Sequence, residues 1–327
     1  MKDLSDAPES LVALKEIPED PGPYCMSFGF DLGPLIHSIK KWGLLSPPFV
    51  VRNESGDIDV VIGFRRILAL KSLKWNEAPM KDLSGKRLST LDLLLLNLND
   101  NLTVRSFNEV EKGMILNRLK PHVSEELLMG EYLPLLGVPA REPLYRVYER
   151  LEELDCDIKG SLADGTLPLK TIKSLIELNP KVRAIVFEWI KDLRFNVNQQ
   201  GLFIENTVYI SLNESKSISQ LLGEAPLVRI RKDKRLNKPQ KARRLLAYLR
   251  SRRFPRLSDS EEAFEKKIKK LGLPDNVQIS YPPFFESPDY RLEIIFRNGE
   301  GLRETIKTLS HLKALEGVGD PWERKKA

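Results

Sequence analysis

Apolar positions recur with two periods along this chain of 327 residues, and the switch between them lays out its elements. Leu32, Leu35, Ile36 and Ile39 fall at i, i+3, i+4 and i+7, which predicts a helix over residues 31–42. Gly43 follows where a helix C-cap glycine belongs. The runs Phe49–Arg52 and Ile58–Ile62 flank Asn53-Glu54-Ser55-Gly56-Asp57, a hairpin signal. Gly63 turns the chain into a helix of about 11 residues that ends near Trp75. Ser89 with Asp92, and Asn108 with Glu111, are N-cap pairs that open two further helices. In the second of these, Val110, Met114, Ile115 and Leu119 spread over one broad apolar side.

From about residue 106 to 200 every periodic segment is helical. Residues 125–154 give helix, a turn at Gly137 and a second helix, the outline of a helix-turn-helix. The run LFIENTVYISL, within 201–227, suits strand or helix. Pro239 fits the first turn of a helix through Leu245, Leu246 and Leu249 that stops before Pro255. Ser258 with Glu261 opens another, through about Leu271. VQISY and RLEIIF then read as strands, residues 302–312 as a last helix, and the tail GDPWERKKA as frayed. The expected fold class is α+β, in four segments: an N-terminal α+β module (1–105), an all-α helix-turn-helix domain (106–200), a helical basic connector (201–257) and a small αββα domain (258–327). There is no internal repeat and no low-complexity tract.

Composition adds one feature. Hydrophobic residues make up 41% of the chain, enough for ordinary cores. Two cysteines, Cys25 and Cys156, have no metal or disulfide spacing, which suits a reducing compartment. The polar, acidic first residues show no signal peptide, and no run nears the roughly 18–20 apolar residues of a membrane span. A soluble cytoplasmic protein with no membrane partner is the expectation. The net charge is +6, yet between Arg229 and Arg256 stand 13 Lys or Arg and one acid, Asp233, so this stretch carries +12 and the rest of the chain −6. So local a basicity suits nucleic-acid phosphates. Lys241, Arg243, Arg244, Arg250, Arg252 and Arg253, around an apolar leucine stripe, are the candidate DNA contacts. An acidic protein partner, or the acidic remainder of the chain, is the alternative.

Two further sets of residues could carry chemistry. Arg65 and Arg66 stand at the start of a helix, where unpaired N–H groups and the positive dipole end attract anions; the plainer reading is a solvated helix end. In the helix-turn-helix outline, Arg141, Tyr145, Arg146 and Arg150 lie on or near the second helix, where base-reading side chains belong. Glu142, Glu149, Glu152, Glu153 and Asp155 make that helix acidic, so a helical pair packed for structural reasons is the alternative. His37, His122 and His311 are scattered among polar residues. YPPFFESPDY (281–290) suits a dimer edge, a protein-binding surface or a packed connection.

In order, these motifs resemble the ParB family of partition proteins over about residues 10 to 200. Ser38-Ile39 and Gly43-Leu44-Leu45-Ser46-Pro47 match the family's SI…G-L-L-x-P. Gly63-Phe64-Arg65-Arg66-Ile67-Leu68-Ala69 matches its G-E-R-R-x-R-A loop, and Asp100-Asn101-Leu102-Thr103-Val104 its E-N-x-x-R. The resemblance implies a ParB/sulfiredoxin-like N-terminal domain that binds CTP with magnesium, followed by a helix-turn-helix. Carried over, Gly63, Arg65, Arg66 and Asn101 are the nucleotide-binding candidates, and Asp100 and Asn101 the metal candidates. Guanidinium forks suit phosphate oxygens and magnesium takes oxygen ligands, so the chemistry agrees.

Four positions depart from the family pattern: Phe64 for Glu, Leu68 for the third Arg, Ser46 for Gln and Val104 for the last Arg. Arg105 lies one residue on, which in a helix turns its side chain by about 100° away from that site. The leading expectation is therefore a ParB-like DNA-binding protein acting in DNA partition as a CTP-responsive clamp, with weak CTPase activity left open. It would be homodimeric and nucleoid-associated, with a partner ATPase possible. A nucleotide-independent transcriptional or accessory DNA-binding factor is the alternative; a nucleotide-dependent phosphotransferase or a nuclease on the same fold stands third. A sulfiredoxin-type reductase is disfavoured, because Phe64 occupies the region of the reactive cysteine and Cys25 lies far upstream.

Overall fold

A computed structural model describes residues 4, 7–282, 287 and 289–318. The tail 319–327, and residues 283–286 and 288 of the aromatic, proline-rich stretch, lie outside the described residues. The chain divides into two compact units, Met1–Trp189 and Ile190–Ala327, where the sequence suggests four segments.

The first unit opens with β1 (Glu9–Ala13), α1 (Gly33–Trp42), β2 (Phe49–Arg52), β3 (Ile58–Ile62), α2 (Phe64–Ser72), β4 (Glu77–Asp82) and α3 (Thr90–Leu102). The expected helix, hairpin and helix are present. Gly43 has φ 76 and donates its N–H to Ile39 O at 2.8 Å, the C-cap its position predicts. Two strands were not legible. β1 and β4 pair antiparallel, and β4 runs parallel to β2, giving a four-stranded sheet ordered β1-β4-β2-β3. Pro79 within β4 argues against a strand, but pairing with β2 begins only at Lys81, so the missing N–H breaks no ladder bond on that side. Val12, Ile39, Val50, Val60, Ile67, Leu70 and Met80 form the core between the sheet and the helices.

The same unit continues through α4 (Glu109–Leu119), α5 (Glu125–Leu127), a π-helical turn (Leu128–Tyr132), α6 (Leu133–Leu135), α7 (Glu142–Glu149), α8 (Cys156–Ala163) and α9 (Leu169–Ile176), and enters α10 (Pro180–Leu193). Both expected N-cap pairs are full capping boxes, Ser89 with Asp92 on α3 and Asn108 with Glu111 on α4. Gly137, at φ 74, separates the helical run 125–135 from α7. At Gly113 a Cβ would come within 2.9 Å of Tyr148 O, so glycine is what lets α4 and α7 approach closely.

The second unit runs from the end of α10 through α11 (Val197–Asn213), α12 (Ile218–Leu222), α13 (Ala225–Lys232), α14 (Lys238–Arg253) and α15 (Pro255–Lys270). It ends with β5 (Val277–Ser280), β6 (Arg291–Ile294) and α16 (Gly299–Ser310). The ambiguous LFIENTVYISL is helical: Asn196 and Gln199 form a capping box, Phe203, Ile204 and Ile210 are buried, and the helix packs on α14. α15 starts at Pro255 rather than at Ser258, because proline is pre-set for a first helical turn. β5 and β6 pair antiparallel, so the order α15-β5-β6-α16 is that expected of the C-terminal segment.

Candidate functional site

The turn from β3 into α2 places the two arginines. Gly63 sits at φ 96, and a Cβ there would meet Pro48 Cβ at 3.1 Å and Arg66 Cζ at 3.3 Å. Ile67, Ala69 and Leu70 anchor α2 in the core, which leaves Arg65 and Arg66 on its partly exposed side. Arg66 reaches back over the loop before β2, donating to Ser46 O at 2.7 Å, Ser46 Oγ at 3.1 Å and Pro47 O at 3.3 Å. Burial pushes its guanidinium below the ordinary value, and Asp100 opposes that shift.

Arg65 turns the other way. Its Nη2 donates to Glu111 Oε1 at 2.9 Å and its Nε to Ser27 Oγ at 3.3 Å, with Phe30 stacked against it. Glu111 is the hub, its side chain only 1% exposed. Its other oxygen accepts from Arg105 Nη1 at 2.7 Å and from the Asn108 N–H at 3.0 Å, while Phe28 N–H also donates to the carboxylate. Two guanidinium groups thus share one buried carboxylate. Burial lowers the Arg65 guanidinium from its ordinary value, the neighbouring charge of Arg105 adds to this, and Glu111 opposes it.

Arg105 corrects the sequence reading. α3 ends at Leu102, and Val104 points outward at 75% exposure. Beyond the helix end the chain turns once more, the Arg105 N–H donating to Asn101 O at 3.0 Å, and this brings Arg105 back to Asn101. Its Nε donates to Asn101 Oδ1 at 2.7 Å, and its Nη2 to Met26 O and Ser27 Oγ, both at 3.2 Å. The 100° rotation therefore does not remove it from Asn101's side. Asn101 in turn donates to Asn97 O at 2.9 Å, and the buried Asn97 donates to Val61 O, tying the cluster to β3.

This arrangement does not fit magnesium at Asp100 and Asn101. The one metal-ligating atom of Asn101, Oδ1, faces the Arg105 guanidinium, and Asp100 is exposed. Among the described residues no group of three or more His, Cys, Asp or Glu could hold a metal ion. The thiol of Cys25 is buried and raised by that burial, so it has no activated character.

The helix-turn-helix candidates separate. Tyr145 is 1% exposed and belongs to the core, so it does not present a base-reading side chain. Arg146 is ringed by Glu125, Glu142 and Glu149, its Nη2 2.7 Å from Glu125 Oε1. Arg150 pairs with Glu177 at 2.8 Å and donates to Ile176 O. Arg141 alone of the four is exposed without an ion pair among the described residues, at the N-cap of α7.

The basic stretch of the second unit splits likewise. Arg250 forks onto Glu261 at 2.6 and 2.8 Å, Arg252 bridges Glu214 and Glu224, and Arg253 contacts Asn206 and Glu205. These three hold helices together, which is their structural role. Lys241 donates to Arg231 O at 2.9 Å, whereas Arg243 and Arg244 are exposed and make no ion pair among the described residues.

No protein-family model and no curated protein matches this chain. Among solved structures it is similar to the C-terminally truncated chromosome-partitioning protein ParB from Caulobacter crescentus complexed with CTP-gamma-S. That likeness has 19% identity and a TM-score of 0.26, and covers 52% of this chain and 93% of that one. The same protein complexed to the centromeric parS site gives 17% identity and a TM-score of 0.31, covering 58% and 96%. Similarity this low assigns no ligand to this chain.

Proposed function

We propose that the chain is a DNA-binding protein of the ParB kind whose first unit responds to a nucleotide through its phosphates. The observation that carries this reading is the convergence of Arg65 and Arg105 on the single carboxylate of Glu111. Two cations against one anion leave an excess positive charge in a partly buried place, and guanidinium forks match phosphate oxygens. Asn101 Oδ1 accepts from Arg105 Nε, one residue beyond Val104, the position that matches the last arginine of the ParB pattern. CTP is the nucleotide that the sequence resemblance implies; magnesium enters no step, given Asn101's partner. DNA is the partner suggested by the exposed cations of the second unit. A homodimer suits Leu292, Ile295, Phe296 and Ile306, apolar residues more than half exposed on β6, just after it and on α16. Association with a partner ATPase and with the nucleoid belongs to the same reading.

A nucleotide-independent DNA-binding factor is the second reading, favoured by Arg105, whose Nε, Nη1 and Nη2 already donate to Asn101, Glu111, Met26 and Ser27. Fluorescence anisotropy of labelled duplex DNA, with and without CTP, separates the two. The first reading expects DNA binding that CTP changes, and loss of that response, with DNA binding retained, in Arg105→Ala. DNA binding indifferent to every nucleotide selects the second. No DNA binding by folded protein refutes both.

A further inference from the structure

The basic stretch of the second unit divides into a spent half and an available half. Beyond Arg250, Arg252 and Arg253, already paired with carboxylates, Arg229, Lys232, Lys234, Lys238, Arg243 and Arg244 are all exposed, with no ion pair among the described residues. Two of them, Arg229 and Arg244, line a groove of about 540 Å³ between α13 and α14. Arg229, Arg235 and Arg244 line it, with Ile230 and the half-buried Tyr248 as its apolar wall.

Two features make this more than a solvated helix face. Asp233, the one acid lining the groove, takes two bonds from the exposed Arg235, from Nε at 3.1 Å and Nη2 at 3.0 Å, which orients that guanidinium. Arg235 holds the Asp233 carboxyl down at about 2, and Arg244 adds to that pull. A helix C-terminus also attracts cations, and α13 ends here. That end is served by Lys241, whose Nζ donates to Arg231 O, while the Arg231 side chain pairs with Asp192 at 2.7 Å. None of the six exposed cations forms an ion pair among the described residues, although Arg244 acts on the Asp233 carboxyl at longer range.

We propose that the α13–α14 groove binds the phosphodiester backbone of nucleic acid, with Arg229 and Arg244 contacting phosphates and Arg235 held ready by Asp233. This rests on the reading of the chain as a DNA-binding protein and narrows its contact in the second unit to one groove. Phosphate contacts carry no base information, so the groove gives affinity and position rather than sequence choice. The apolar wall with Tyr248 offers an unpaired base a stacking surface, so single strands and duplex share the phosphate chemistry and differ at this wall.

The test titrates labelled duplex and single-stranded oligonucleotides with the full chain over a series of salt concentrations. The variants are Arg229→Ala/Arg244→Ala and Arg229→Glu/Arg244→Glu, whose exposed, unpaired side chains leave folding untouched. The duplex slope of log K against log salt should become shallower by about 1.8 in the double alanine variant, because each lost phosphate contact removes about 0.9. At 0.1 M salt that corresponds to a loss of affinity of roughly 60-fold. The double glutamate variant should lose more. A greater loss on single strands than on duplex assigns the groove to unpaired nucleic acid, and the reverse assigns it to duplex. An unchanged slope and affinity in both variants, while the wild-type chain binds, overturns the groove and leaves the DNA reading standing. No binding by the wild-type chain overturns both.

Discussion

Replacing Glu111 with glutamine tests the charge balance of the first unit most sharply. The side chain is 1% exposed and accepts from Arg65 at 2.9 Å and Arg105 at 2.7 Å, besides the backbone N–H groups of Asn108 and Phe28. Glutamine keeps the shape and one acceptor oxygen but removes the negative charge, so two guanidinium groups then face each other unopposed. Removing one partner of a buried pair costs about 3–5 kcal/mol, and the retained amide argues for the lower end. For a unit of this size, about 3 kcal/mol corresponds to a fall in melting temperature of roughly 6–12 °C. Differential scanning calorimetry of the full chain at neutral pH measures it. If the cluster is a phosphate site, inorganic triphosphate supplies the missing anion and raises the variant's melting temperature more than the wild type's. A ligand at 100 times its Kd restores about 2.7 kcal/mol. A variant that melts with the wild type would refute the electrostatic argument. A loss that triphosphate leaves untouched would refute the phosphate part.

Gly63→Ala should cost about 1–3 kcal/mol in urea midpoint measurements, since a side chain at φ 96 is strained and its Cβ meets Pro48 and Arg66. Tyr145→Ala should destabilise by about 3–5 kcal/mol, as expected of a truncated core aromatic, whereas Arg146→Ala should leave DNA affinity unchanged; a selective loss of affinity in Arg146→Ala would restore α7 as the reading element. Arg252 beside Glu224 holds that carboxyl down to about 2 from an ordinary 4.5. The folded state therefore binds its proton more weakly than the unfolded chain, so this stabilisation is complete above pH 4.5 and lost as pH falls toward 2. Circular-dichroism melts at several pH values should show that acid loss in the wild type and a flatter profile in Arg252→Ala; identical profiles would remove Arg252 as its source.

What was legible followed from local rules. The hairpin, α1 with its Gly43 cap, and the capping boxes of α3 and α4 each depend on a few neighbouring residues. β1 and β4 depend on pairing across the sheet, and Pro79 hides β4 from any local criterion. The site was legible in the same measure. Arg65 and Arg66 were visible from the Gly63 turn, but their partners were not: Glu111 showed itself only as a cap residue, although its carboxylate also collects both arginines from 46 and 6 residues away. Arg105 was hidden because α3 ends at Leu102, and the turn that brings Arg105 back to Asn101 lies beyond the helix. In the second unit, net charge marked the right stretch and could not say which cations were spent, since Glu205, Glu214, Glu224 and Glu261 lie on other elements.

The most direct measurement is isothermal titration of the full chain with CTP, ATP, GTP and UTP, with and without magnesium and duplex DNA, beside Arg65→Ala and Arg105→Ala variants shown to be folded. The account predicts selective binding of CTP that either substitution abolishes. Absence of heat with every nucleotide, in every condition, would contradict it and leave the Glu111 cluster as a structural ion pair alone.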